Sequence, residues 1–130
     1  MALDTIAEWH KVFRSRDLRG LDALLADRAT FHSPIVHTPQ VGKALTKMYL
    51  AGAFFVLGNE SFRYVREVIG ATDAVLEFVT EVDGITINGV DMISWDADGR
   101  ITDFKVMIRP LKAINLVHQK MAAALEQMKR

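Results

Sequence analysis

Apolar residues recur every three to four positions at both ends of the chain and every second position through its middle. Leu3, Ile6, Trp9 and Phe13 open the helical spacing and predict an amphipathic helix over residues 3–16. Asp17 stands as the cap of a second helix, "LRGLDALLAD", which carries Leu18, Leu21, Leu24 and Leu25 on one side. "ATFHSP" then reads as a short strand stopped by Pro34, and "IVHTPQVG" as a loop. From Val41 onward, Leu45, Met48, Tyr49, Gly52 and Phe55 predict a third helix, closed near "LGNE", where Gly58 and Asn59 suit a left-handed turn.

Past residue 60 the period drops to two. Strands are predicted over 61–70, 73–83, 85–96 and 100–109, and the breaks "GATD", "VDG" and "DADG" are turn chemistry, so they should pair as an antiparallel meander. Pro110 suits the first turn of a final helix, whose stripe is Leu111, Ile114, Val117, Met121, Leu125 and Met128. No repeat, linker or low-complexity tract interrupts this order, which predicts one domain over residues 1–130. Its class is α+β: a curved antiparallel sheet covered on its concave face by the N-terminal helices, with a C-terminal helix.

One position breaks the pattern. On the strand 85–96, alternate side chains give a face of Ile85, Ile87, Gly89, Asp91, Ile93 and Trp95, so a carboxylate stands in an apolar stripe. Burying an ionised carboxylate without partners costs several kcal/mol or drives it to take up a proton, so Asp91 calls for a partner or a chemical task. Two other arrangements stay open: a bulge at Gly89 that turns Asp91 to water, or a structural bridge from Asp91 to Arg109 or a histidine.

Composition narrows the classes of function. Of 130 residues, 50% are hydrophobic and 25% charged, the balance of an ordinary globular domain. Sixteen basic residues match sixteen acidic ones, which removes the electrostatic footprint of a nucleic-acid or anionic-membrane binder; Arg14, Arg16 and Arg19 alternate with Asp17 and read as solvated surface. With no cysteine, disulfides, thiolate metal sites and thiol nucleophiles are excluded. The first residues lack the pattern of a signal peptide, no apolar run approaches a membrane span, and a cytoplasmic location is expected.

The remaining candidates cluster around "FHSPIVH". Either histidine could serve as general base; if Phe31 and Ser33 face inward, His32 points outward and His37, in the loop at a cavity's mouth, is the candidate, with a surface or interface position as the alternative for both. Ser33 lacks the elbow sequence of a nucleophile and reads as a small polar lining residue. "DADG" lacks the later ligands of a calcium loop, and His32 and His37 are not spaced to converge with an acid on a metal, so no metal is expected. Trp9, Phe13, Phe31, Tyr49, Phe54, Phe55, Trp95 and Met107 offer surface to line a cavity for a hydrophobic ligand. Thr86, Asn88, Val90, Met92 and Ser94, with Val75 and Val79 beside them, form an outer face suited to contact between two copies of the chain.

"DLRGLDALLADRATFHSP", "TPQVGKAL" and "DMISWDADGRITDF" together carry a family likeness. In order and spacing the sequence resembles the nuclear-transport-factor-2-like superfamily, a cone-shaped α+β fold shared by ketosteroid isomerases, scytalone dehydratases, limonene-epoxide hydrolases and SnoaL-like polyketide cyclases. Against the ketosteroid isomerase pattern, the tyrosine that donates to the substrate oxygen falls on Trp9, the proton-moving aspartate falls on Ser33, and the oxyanion-hole aspartate falls on Asp91, which is kept. The resemblance implies a carboxylic acid held neutral by an apolar site. Without the proton-moving base, steroid isomerisation by that route is not expected.

The expected function is binding of a small hydrophobic, oxygen-bearing molecule in the cone's cavity, with acid/base isomerase, cyclase or lyase chemistry. Asp91 would be the pocket acid and His37 the base, with Trp9, Phe13, Phe31, Ser33, Tyr49, Phe55 and Trp95 around the ligand and no cofactor. The alternative is a non-catalytic ligand-binding or dimerisation module. Since members of this superfamily often dimerise through the outer sheet face, the resemblance also implies a homodimer.

Overall fold

The computed structural model describes residues 4–128, so Leu3, the first residue of the leading stripe, lies outside it. Helix α1 (Thr5–Ser15) begins where the Asp4 carboxylate accepts from the Ala7 N–H, and it buries Ile6, Trp9 and Val12. It ends at Arg16 in the left-handed region (φ 58°), and the Arg16 guanidinium donates to the carbonyls of Phe13 and Gly58. Asp17 caps α2 (Leu18–Leu24), accepting from the Arg19 N–H at 3.0 Å.

Helix α2 stops before the end of its leucine-rich segment. Leu25 already belongs to β1 (Leu25–His32), where it pairs in parallel with Ile101. Leu25 is buried, as a helix stripe or a strand would each require, so side-chain pattern alone cannot place this boundary; the backbone partner does. The expected loop contains a short strand, β2 (Gln40–Val41), paired with Thr30 and Phe31. Helix α3 (Lys43–Leu57) follows Gly42, whose φ of 109° favours glycine.

The meander forms as β3 (Arg63–Ile69), β4 (Asp73–Val82), β5 (Ile85–Trp95) and β6 (Ile101–Arg109). The strand order is β2-β1-β6-β5-β4-β3, and because β1 runs parallel to β6 the curved, open sheet is mixed; the antiparallel expectation holds for the meander. Helix α4 (Leu111–Met128) starts with the Pro110 carbonyl accepting from Ala113 and Ile114, so the proline stands just ahead of the first turn. Met121 and Leu125 of α4 lie 3.0 and 3.7 Å from where a side chain at Gly52 would begin, which lets α3 and α4 approach closely. Helices and sheet enclose one core, with Leu21, Leu24, Leu76, Phe78, Ile93 and Phe104 almost fully buried. No helix among the described residues is long and apolar enough to cross a membrane.

Candidate active site

The ladder between β4 and β5 runs without a register shift from Asp73↔Ser94 to Val82↔Ile85, so Gly89 marks no bulge. Its missing side chain serves packing: a Cβ there would collide with the Phe78 ring and stand 2.8 Å from the Met107 carbonyl oxygen. Alternation therefore persists through β5 and carries Asp91 to the concave face, where it is 6% exposed.

The partner of Asp91 is neither Arg109, which donates to Asn88 Oδ1 at 3.2 Å, nor a histidine. The Tyr64 hydroxyl, reaching across from β3, donates to Asp91 Oδ2 at 2.6 Å, and the Trp9 indole Nε1–H donates to the Tyr64 oxygen at 3.0 Å. Burial pushes the Asp91 carboxyl up to about 7 and outweighs the Tyr64 hydrogen bond, which pulls the other way. Burial, followed by the neighbouring Asp91 charge, raises Tyr64 well above the ordinary phenol range, so it stays a donor. Asp91 Oδ1 has no hydrogen-bond partner among the described residues, where no sealed side-chain polar atom is left unpaired; it opens instead onto a cavity.

That cavity measures about 220 Å³. Trp9 and Phe13 of α1 form one wall, and Tyr49, Leu50 and Phe54 of α3 another. The sheet contributes Phe62, Tyr64, Phe78, Asp91 and Phe104, while Ser33 to Val36 and the α4 residues His118 and Met121 border it as well. The aromatic side chains brace one another: Trp9 lies 4.8 Å from Phe104, and Tyr49 stacks on Phe31 at 5.3 Å between ring centres.

Seven of the residues singled out in the sequence line this space: Trp9, Phe13, Phe31, Ser33, Tyr49, Phe54 and Asp91. Others do not, among them Met107, which is exposed on the outer face of the sheet. Phe55 is 77% exposed on the far side of α3, because the helix turns Phe54, one turn beyond Leu50, toward the core. Trp95 shares the face of Asp91, yet it sits at the last residue of β5, beside a register shift, and packs on the core away from the cavity. His37 is exposed and does not line the cavity; it borders an adjoining hollow with His32 and Lys105, across the rim formed by Ser33, Pro34 and Val36. His32 points outward to Asp103 at 2.7 Å. Ser33 Oγ accepts from the N–H groups of Ile35 and Val36 at 2.9 and 3.3 Å, so its oxygen shapes the rim loop.

Two functional candidates are absent from the sequence reading. Tyr64 was detectable: in "SFRYVREV" alternation puts Phe62 and Tyr64 on one face of an amphipathic strand. His118 has no such signal, because it stands beside the apolar stripe of α4 and the cavity reaches it only through the packing of that helix on α3. Among the described residues, no three or more histidine, aspartate or glutamate side chains gather to hold a metal ion.

The family model for the SnoaL-like domain matches residues 6–104. A crystal structure described as a steroid delta-isomerase from Pseudomonas aeruginosa is 39% identical and superposes with a TM-score of 0.89, over 95% of this chain and 90% of that one. A bacterial protein with a cystatin-like fold from Silicibacter pomeroyi is 32% identical, with a TM-score of 0.85 over 92% and 84% of the two chains. An NTF2-like protein from Mesorhizobium loti shares the fold at 15% identity, with a TM-score of 0.70 over 82% and 89%. No curated protein matches the chain. The match to the domain model, carried by the same fold in these structures, makes the chain a member of the SnoaL-like family within the nuclear-transport-factor-2-like superfamily.

Proposed function

We propose that this protein binds a small, hydrophobic, oxygen-bearing molecule in the cavity and acts on it by acid/base chemistry of the isomerase, cyclase or lyase kind. The observation that carries this reading is the free edge of Asp91. Below about pH 7 its carboxyl holds a proton, its Oδ2 is occupied by Tyr64, and Oδ1 is left to meet a ligand oxygen in apolar surroundings. A donor aimed at an oxygen that gains charge during enolisation stabilises that charge best where water is excluded.

Volume narrows the ligand. An engineered cavity of about 150 Å³ takes up one benzene ring, so 220 Å³ suits a molecule of one or two fused rings. A four-ring steroid would leave much of itself outside. The 39% identical steroid delta-isomerase supports an isomerase, while the cavity size and Ser33 in place of the usual base argue against a steroid as the enclosed substrate. Ser33 also favours a second reading, a binding module without catalysis, since its oxygen is committed to the rim loop.

Trp9 in the wall gives the test a built-in signal. Quenching of tryptophan fluorescence by the bicyclic ketone 1-indanone should report binding that weakens about tenfold for each pH unit above 7, as Asp91 loses the proton it donates. Asp91→Asn, which keeps an N–H donor, should bind without that pH dependence, and Asp91→Leu should bind more weakly. Equal wild-type affinity at pH 5 and pH 9 would remove Asp91 from the reading.

The outer sheet face supports a homodimer. Val68, Val75 and Met92 lie in one cross-strand row, Val90 pairs with Met107 in another, and all but Val90 are among the exposed large apolar side chains. Sedimentation should give a dimer at micromolar concentration and a monomer for Met92→Glu; a wild-type monomer would refute it.

A further inference from the structure

An acid that polarises a carbonyl needs a separate base to take the neighbouring proton, and the usual position for that base holds Ser33. We propose that His118 of α4 supplies it. This rests on the reading of Asp91 as the pocket acid and adds the group that moves the proton.

The geometry makes the choice among the proton-bearing side chains that line the cavity. Asp91 and Tyr64 are bonded to each other, and the Ser33 oxygen accepts from two backbone N–H groups. Tyr49 is a phenol stacked on Phe31, and a neutral phenol is a poor acceptor for a carbon-bound proton. His118 has no hydrogen-bond or ion-pair partner among the described residues, so both ring nitrogens are available. Its backbone is anchored by Val117, which is buried, and by Met121 one turn on, which packs against Gly52 of α3. The residue is exposed to solvent while it borders the cavity, which lets it exchange a proton with water between turnovers. Imidazole is the side chain suited to take and return protons near neutral pH.

In the step itself, a neutral His118 nitrogen takes a proton from the carbon next to the ligand carbonyl. The C–H electron pair becomes a carbon–carbon double bond, the carbonyl π pair moves to oxygen, and the Asp91 proton passes to or is shared with that oxygen. Return of the proton from His118 to the same carbon regenerates the ketone. Delivery to a more distant carbon of a conjugated system gives the isomer. No oxidant or co-reactant is consumed.

The test follows deuterium uptake at carbon 2 of 1-indanone in D2O by mass spectrometry, beside tryptophan-quenching affinities for the same ketone. The wild type should accelerate exchange over buffer. His118→Gln should lose at least about a hundredfold of that acceleration with affinity unchanged, His118→Ala should recover part of it when free imidazole is added, and His37→Gln should match the wild type. Exchange by His118→Gln at the wild-type rate, or a wild type that binds the ketone without exchanging it, overturns the assignment and leaves Asp91 as a binding acid. A wild type that does not bind 1-indanone sinks the cavity reading and this assignment with it.

Discussion

The floor and the rim of the cavity are built on opposite principles. At the floor, Trp9, Tyr64 and Asp91 come from three elements and are joined by directed hydrogen bonds among buried rings. At the rim, Ser33 holds its own loop by two local bonds, and His118 has no partner among the described residues. A rigid floor can hold a carboxyl in a costly state; an open rim can exchange protons and ligands.

The largest expected effect breaks the floor through its titration. Asp91 holds its proton to about pH 7 when folded and to its ordinary value of 3.8 when unfolded, so acid favours the folded state. The stability it contributes is complete below about pH 4 and is lost as the pH rises through 7, a span worth on the order of 4 kcal/mol. Chemical denaturation of wild type and Asp91→Asn at pH 5 and pH 8 should show the mutant gaining relative stability at the higher pH. A difference that does not change with pH would place Asp91 in water.

Tyr64→Phe should come next. It strands the Trp9 N–H and removes a donor from Asp91, at a cost of about 1–3 kcal/mol. Since that bond holds the Asp91 carboxyl down, its titration should move further up, measurable by carboxyl NMR shifts. At the rim, Ser33→Ala should cost about 1 kcal/mol by denaturation and leave the Asp91 titration in place. The smallest effect belongs outside both regions: Phe55→Ser should stay within about 0.5 kcal/mol and bind 1-indanone as the wild type does.

The same contrast explains how much could be read from the letters. Strand alternation has a period of two that survives unless a bulge intervenes, so the inward turn of Asp91 and the meander were legible, as were the aromatic walls from Trp9 to Tyr49. Tyr64 as the partner needed the diagonal reach from β3 to β5, which alternation orients but does not measure. The parallel pairing of β1 with β6 joins segments far apart in sequence, and no local pattern marks it. Rim residues were the least accessible. His37 and His118 differ in where a loop crosses an edge and how α4 leans on α3, both set by packing.

The bond from Trp9 fixes the sense of everything beyond it. An indole nitrogen can give a hydrogen bond but never receive one, so the tyrosine oxygen takes the indole hydrogen and gives its own to the carboxyl. The relay is therefore one-way and closed at its inner end. In the proposed reading, a proton that leaves Asp91 departs on the cavity side and is replaced from there, which would tie recharging of the acid to the arrival and departure of the ligand.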